Sequence, residues 1–362
     1  MKMQGLLGAL TGLLCLLNSV SAQTNADYQI AFNLDYFDSL VKSKAPQGGP
    51  GFIFKIFHKG ELIRSGKYGL ANLSTGAHFG FDTPTYIASL GKTFTSAAIL
   101  LLRQEGKLDL KAKVGAFFPQ LPAFMHPITI EQLLYHSSGL PDHFDHFGES
   151  VTGLDNSKVL AYLNKVSKLA FEPGTDYAYS NSAYVLLSEI VTRVSGIPFA
   201  EYLNRHIFEP LEMTNTRVIT HQHDMPKLRA IGYVAGEESD YSGISTTGAG
   251  GIYSTLNDLV KWDRALNRND LLSAESKQLA FTKARIPNKR TYLAMGWMDE
   301  SFGPKTPTFE GLSYVMAFGS LKGFRAKHMR FNDFGLSFIL LSNSGEMPLW
   351  GEDIARAFFK KR

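Results

Sequence analysis

Ser89-Leu90-Gly91-Lys92 puts a hydroxyl and an amine three residues apart. On a helix that spacing sets the two side chains on one face. An apolar run follows, Ala97-Ala98-Ile99-Leu100-Leu101-Leu102, and ends in Arg103-Gln104-Glu105-Gly106. The pattern predicts a buried helix from near Ser89 to Gly106, glycine being the usual residue past a helix C-terminus. A serine in its first turn lies beside unpaired backbone N–H groups at the positive end of the helix dipole. Such a site can make an alkoxide from a weak nucleophile: the amine takes the proton and the positive field steadies the anion. Ser-x-x-Lys alone is a loose pattern. Gly91-Lys92-Thr93 also matches the tail of a phosphate-binding loop, but Tyr86 stands where that loop needs its first glycine. The phosphate reading fails.

A second group lies further on. Tyr179-Ser180-Asn181 follows the turn Pro173-Gly174-Thr175 and precedes a helical pattern over 182–194, stopped by Gly196 and Pro198. A phenol and an amide two residues apart on a loop can both face a cleft. A tyrosine near a lysine cation can lose its proton below its ordinary pKa and serve as a base. Taken alone, the triplet also reads as an aromatic anchor followed by a helix N-cap.

The chain that must position these groups has 362 residues, enough for one large core or two domains sharing an interface. Hydrophobic residues at 44%, charged residues at 19% and a mean hydropathy of -0.08 describe a globular protein. Its 26 phenylalanines and 15 tyrosines predict a substantial aromatic core. A formal charge of +4, with no basic run longer than Lys360-Lys361-Arg362, leaves no electrostatic footprint for nucleic acid. Residues 1–22 read as a cleavable secretory signal: Lys2, an apolar segment over 6–17, then Val20-Ser21-Ala22. Cleavage removes Cys15, the single cysteine, and leaves no membrane anchor. The expected location is the periplasm or outside the cell.

Residues 23–45 have rough helical spacing, and 51–57 followed by 61–68 read as a hairpin turning at Lys59-Gly60. From 107 to about 244 the chain is broken by prolines, with helical stretches such as 130–134 between them. Strand character returns at 292–297, 323–331 and 336–342, and a last helix is expected over 351–361. The order predicts an α+β fold: an antiparallel sheet built from about 23–106 and 245–362, with a mostly helical insert. A cleft between sheet and insert would hold the chemistry.

Ser89-x-x-Lys92 followed by Tyr179-x-Asn181 resembles the serine β-lactamase and penicillin-binding-protein superfamily. The likeness is nearest to class C β-lactamases, related DD-peptidases and esterases. Tyr135-His136-Ser137-Ser138-Gly139-Leu140-Pro141, Phe171-Glu172-Pro173-Gly174, Pro210-Leu211-Glu212-Met213-Thr214 and Gly248-Ala249-Gly250-Gly251-Ile252-Tyr253 fall in the family's order. The resemblance runs from about residue 30 to the end and implies the β-lactamase/transpeptidase-like fold. It makes Ser89 the nucleophile, Lys92 and Tyr179 a coupled base, and Asn181 the group that orients Lys92. It also puts Gly319 and Ser320 on the substrate-binding strand, with the N–H groups of Ser89 and Ser320 as oxyanion hole. No cofactor is implied, and the expected partner is a small-molecule or peptide substrate. The third motif departs: where the family has Lys-Thr-Gly or His-x-Gly, this chain has Ala317-Phe318-Gly319. That loss puts recognition of a substrate carboxylate in doubt more than it does acylation.

Other groups carry less. His143, Asp145 and His146 could be imagined as a metal site, but Pro141, Gly139 and Gly148 point to a solvated or cleft-rim loop. His221 and His223 read as surface residues, and His136 as a structural hydrogen-bonding histidine. No Gly-x-Ser-x-Gly elbow occurs. Two functions stay open: a serine hydrolase of esters, amides or peptides, and a non-catalytic or weakly acylating penicillin-binding-type protein that has lost turnover.

Overall fold

The computed structural model describes residues 25–148, 153–239, 244–303 and 305–362; the signal over 1–22 lies outside the described residues. Alternating apolar residues build the central sheet. Its strands are β2 (Phe52–His58), β3 (Glu61–Tyr68), β4 (Met298–Ser301), β5 (Ser313–Leu321), β6 (Phe324–Phe331) and β7 (Leu336–Ser342), after a short β1 (Tyr28–Ile30). They lie in the order β4-β5-β6-β7-β2-β3, every neighbour antiparallel. The two chain ends meet at β7 and β2, with Leu336 opposite His58 and Ser342 opposite Phe52. All seven residues of β7 are buried, so both sheet faces are covered.

The two faces sort by the two-residue period of a strand. Phe52, Phe54, Ile56, Phe338 and Leu340 point into an aromatic layer closed by helix α1 (Leu34–Lys44) and a C-terminal helix over Gly351–Phe358. Ile53, Phe57, Ile339 and Leu341 point the other way, into the larger core shared with helix α2 (Lys92–Gln104) and the insert. Helix α2 is buried continuously from Lys92 to Leu102. A helix apolar on all sides belongs in a core, and this one is packed against α3 (Asn181–Ser195). Ser180 caps α3 by accepting from Ala183 N–H, and Gly196 closes it with a positive φ of 76°.

Three sequence expectations are corrected. Residues 23–45 are not one helix: Tyr28–Ile30 is a strand paired with Phe359–Lys361, and the helix begins at Leu34. The same pairing ends the last helix at Phe358, three residues short of the expected 361. Helical spacing at the termini could not show that the two ends would pair with each other. Residues 292–297 are not a strand either. Gly296 takes φ 78°, which turns the chain before β4 starts at Met298.

A buried charge cluster ties helix α4 (Leu256–Asn267) to the sheet. The Asp263 carboxylate accepts from His328 Nε2 at 2.8 Å, from Ser337 Oγ at 2.9 Å and from Arg330. Arg330 also donates to Asn267 Oδ1 at 2.6 Å. Burial alone would raise the Asp263 pKa, but the Arg330 charge and the His328 contact outweigh it and hold the group at about 2. Removing the carboxylate strands a buried guanidinium. Asp263→Ala should therefore lower the unfolding free energy by about 3–5 kcal/mol, read from urea denaturation. A loss below about 1 kcal/mol would show that the cluster is not what holds α4 against the sheet.

Candidate active site

The site begins where the chain leaves a short strand, Thr85–Tyr86, paired with Ile252–Ser254. Residues Ala88–Gly91 form a 3-10 turn and α2 proper starts at Lys92, so Ser89 sits in the turn that feeds the helix. Ala88 takes φ 47°, in the left-handed region that L-residues with a side chain avoid. Such strain is maintained only where the surroundings enforce it, and Ala88 is buried.

Strand β5 does part of that enforcing. A Cβ at Gly319 would lie 2.0 Å from the Ile87 carbonyl oxygen and 3.1 Å from the Leu90 nitrogen, so only glycine lets strand and turn touch. The next residue, Ser320, lines the same cleft as Ser89. Leu321 and Phe324 close the hairpin across Lys322-Gly323, which makes Ser320–Arg325 a non-hydrogen-bonded pair. The Ser320 N–H therefore points away from β6, off the strand edge facing the turn.

The other groups converge on Ser89 Oγ. Lys92 Nζ lies 3.1 Å from it, and Tyr179 O–H donates to it at 2.8 Å. Lys92 Nζ also donates to Asn181 Oδ1 at 2.7 Å and to the Ala249 carbonyl at 2.6 Å. Asn181 is the first residue of α3, so the helix that starts there holds its amide in place. The Lys92 side chain is 2% exposed, and burial lowers its pKa to about 7 even though the Asp142 charge pulls it up.

Tyr179 behaves against expectation. Its pKa is raised: the desolvation of its hydroxyl outweighs the downward pull of the Ser89 hydrogen bond. Its outward face remains 45% exposed, so it is the surroundings of the oxygen, and not enclosure of the ring, that push this way. Lys92 stands 4.8 Å from the ring centroid, over the π-face, and its charge is not among the causes that set the Tyr179 pKa. At neutral pH Tyr179 is a proton donor and Lys92 is the group near its titration point.

A family profile described as Beta-lactamase matches residues 37–358. The chain belongs to the β-lactamase family. It is 29% identical over 324 residues to penicillin-binding protein 4* of Bacillus subtilis (strain 168), covering 82% of this chain and 69% of that one. To a D-aminopeptidase of Gluconobacter oxydans (strain 621H) it is 26% identical over 312 residues, and it spans 56% of that protein's length and 82% of its own. Among solved structures, the octameric penicillin-binding protein homologue from Pyrococcus abyssi matches with a TM-score of 0.76 at 25% identity, over 87% of this chain and 75% of that one. D-amino acid amidase from Ochrobactrum anthropi SV3 matches with a TM-score of 0.74 at 25% identity, over 89% and 96%. This is thus a β-lactamase-family hydrolase with the family's mixed α+β fold, homologous to D-aminopeptidases and D-amino acid amidases.

Within that family site, one residue escaped the sequence reading. Asp142 accepts from Asn181 N–H at 2.9 Å and from Asn181 Nδ2 at 2.8 Å, which turns Asn181 Oδ1 toward Lys92. The signal was present: an Asp after Pro141 is an ordinary N-cap, and it does cap the short helix His143–Phe147 through Phe144 N–H. Its second oxygen could only be placed by the fold. His136 is the structural hydrogen-bonding residue expected, accepting Ser180 N–H at Nδ1 (3.0 Å). It also stacks on the Tyr179 ring, centroids 4.5 Å apart, and takes φ 56° to do so. The stacking fixes the phenol's direction.

The histidine-rich stretch is corrected. Residues 143–147 are helical, and His143 is fully buried against Ser182 Oγ at 3.3 Å instead of solvated. His146 stacks on Tyr162, so the two rings do not share a metal position. His221 and His223 are exposed as expected and stack 5.1 Å apart beside Asp224.

Gly319→Ala should cut turnover of 4-nitrophenyl acetate by about 100-fold, since a displacement near 1 Å at a reacting group costs that much. Circular dichroism should stay native. Turnover within threefold of the parent would show that β5 does not need this approach.

Proposed function

We propose that this protein hydrolyses an ester, amide or peptide bond through an acyl-Ser89 intermediate, in the periplasm or outside the cell. One observation carries the reading: an amine at 3.1 Å and a phenol at 2.8 Å meet on a single serine oxygen. Neutral Lys92 can give its two N–H bonds to Asn181 and Ala249 and turn its lone pair to the Ser89 hydroxyl. Lys92 then takes the Ser89 proton as Oγ bonds to the carbonyl carbon. The N–H groups of Ser89 and Ser320 meet the oxygen that becomes negative. Tyr179 gives its proton to the departing oxygen or nitrogen as the old bond breaks, and recovers one from the Lys92 ammonium. Water repeats the sequence: it loses a proton to the pair, its oxygen joins the acyl carbon, and Ser89 leaves reprotonated.

The names of relatives support an amide-like substrate: they include a penicillin-binding protein, D-aminopeptidases and a D-amino acid amidase. Ala317 favours a second reading, a protein that acylates without turning over. Covalent capture with slow release would identify it.

Ser89→Ala should lose labelling by a fluorophosphonate probe, read by mass spectrometry, and at least about 10³-fold in 4-nitrophenyl ester hydrolysis. Retained hydrolysis sinks the reading.

The pH dependence follows from Lys92. Its lowered pKa makes the neutral, proton-accepting form grow as pH rises through about 7, so kcat/KM should climb across that range and level off above it. The limb belongs to the Lys92–Tyr179 pair as a unit. Asp142→Asn removes a charge that holds the Lys92 pKa up, so the limb should move to lower pH. An unmoved or upward-moved limb would separate the titration from Lys92.

A further inference from the structure

Two chambers open on Ser89. The first, about 320 Å3, is bounded by Asn181, Ala249 and Gly250. The second, about 420 Å3, lies on the side of Lys92 and Tyr179, and both of those residues line it together with Ser89. Tyr179 lines both chambers and Lys92 only the second, so the two groups face the second together. An atom leaving the acyl carbon must receive its proton from the Lys92–Tyr179 pair, so it departs on the side those groups occupy. The second chamber is the space beyond them.

Its chemistry is unlike a carboxylate site. Tyr177, Tyr292, Leu293, Trp297 and Phe318 supply its walls. Tyr177 and Tyr292 meet edge to face, centroids 5.9 Å apart, and the Tyr177 hydroxyl is turned away to the Arg290 carbonyl at 3.2 Å. Lys92 is the one charged side chain among the lining residues, and its amine is already spent on Ser89, Asn181 and Ala249. Lys289 and Arg290 stand exposed nearby in sequence, and Lys289 pairs with Asp176 at 2.8 Å. Ala317 shares a strand face with Gly319, is 2% exposed and lines neither chamber, so the third-motif position supplies no cation to this space. A carboxylate entering here would give up water and find, among the lining residues, no cation beyond the one already engaged at Ser89. An aromatic or alkyl group would gain contact with four aromatic rings.

We propose that this chamber is the leaving-group subsite and that it selects uncharged, apolar leaving groups, aryl ones above all, against those bearing a carboxylate. The proposal rests on the acyl-Ser89 reading and narrows it to acyl donors whose departing half is neutral. In the step it governs, the bond from the acyl carbon to the leaving oxygen breaks, and that oxygen takes its proton from Tyr179.

The test uses the full chain and two acetate esters matched in ring and acyl group, those of 3-hydroxybenzamide and of 3-hydroxybenzoate. Both give the same acetyl-enzyme, so kcat/KM, corrected for uncatalysed hydrolysis, reports the acylation step alone. The amide-bearing ester should be favoured by at least about tenfold. Tyr292→Lys, at a residue 44% exposed and so free to change without unfolding the chain, should bring the two within about threefold by raising the rate on the carboxylate ester. Rates within twofold of each other in the parent protein, or a preference for the carboxylate ester, would overturn the assignment while leaving Ser89-dependent hydrolysis intact. Absence of any Ser89-dependent hydrolysis would instead bring down the acyl-enzyme reading and this one with it.

Discussion

A lysine amine kept out of water is the constraint on which the rest of this structure depends. Holding an ammonium in an apolar setting is costly, and the chain meets that cost in two ways. It supplies acceptors at close range, the Asn181 amide and the Ala249 carbonyl, and it lets the pKa fall until the proton is nearly lost. Both acceptors come from segments remote in sequence from Lys92. Helix α2 must therefore be buried, α3 must start at residue 181, and the 248–251 glycine-rich segment must run alongside. Thr95 Oγ1 donating to the Gly248 carbonyl at 2.8 Å and the Tyr86 hydroxyl accepting from Gly251 N–H at 3.1 Å pin that segment from both sides.

The second constraint is steric. Strand β5 and the nucleophile turn share one close approach, and the absence of a side chain at Gly319 is what permits it. The sheet's order makes this possible. Strand β4 pairs with β5 only over Ser313–Met316, leaving the far half of that edge open for the turn carrying Ser89. A backbone edge that a further strand would otherwise occupy instead meets the turn carrying Ser89.

Much of this was legible in the chain. Ser89, Lys92, Tyr179 and Asn181 stood out because hydroxyl, amine, phenol and amide recur at short spacings beside strong helix signals, and the structure brings all four together. The strands over 61–68 and 336–342 were read to the residue, since the turns Lys59-Gly60 and Gly335 bound them, while the first arm of the hairpin runs one residue later than expected, over 52–58. What escaped depended on distance in sequence. Pairing of Tyr28–Ile30 with Phe359–Lys361 joins the chain's two ends, and neither end carries a local sign of the other. Asp142 went unread: its local role is to cap a five-residue helix, and its hold on Asn181 is set by tertiary packing. Tyr179 was misjudged in a different manner. Proximity to Lys92 suggested a lowered pKa, but proximity is not orientation: the amine meets the ring face, and burial of the hydroxyl decides the sign.

That sign bears on the missing third-motif cation. Were the base a tyrosinate, a second positive charge beside it would be needed to hold the negative form, and Ala317 would disable the chemistry. Here the group brought close to neutral pH is Lys92, and the leading cause of its lowered pKa is burial. A lysine at 317 would add like charge and depress Lys92 further, without being required for its neutral form to exist at pH 7. The alanine at 317 thus leaves hydroxyl, amine and phenol in one cluster about Ser89 Oγ, at 3.1 and 2.8 Å, and that cluster draws on no cation from the third-motif position.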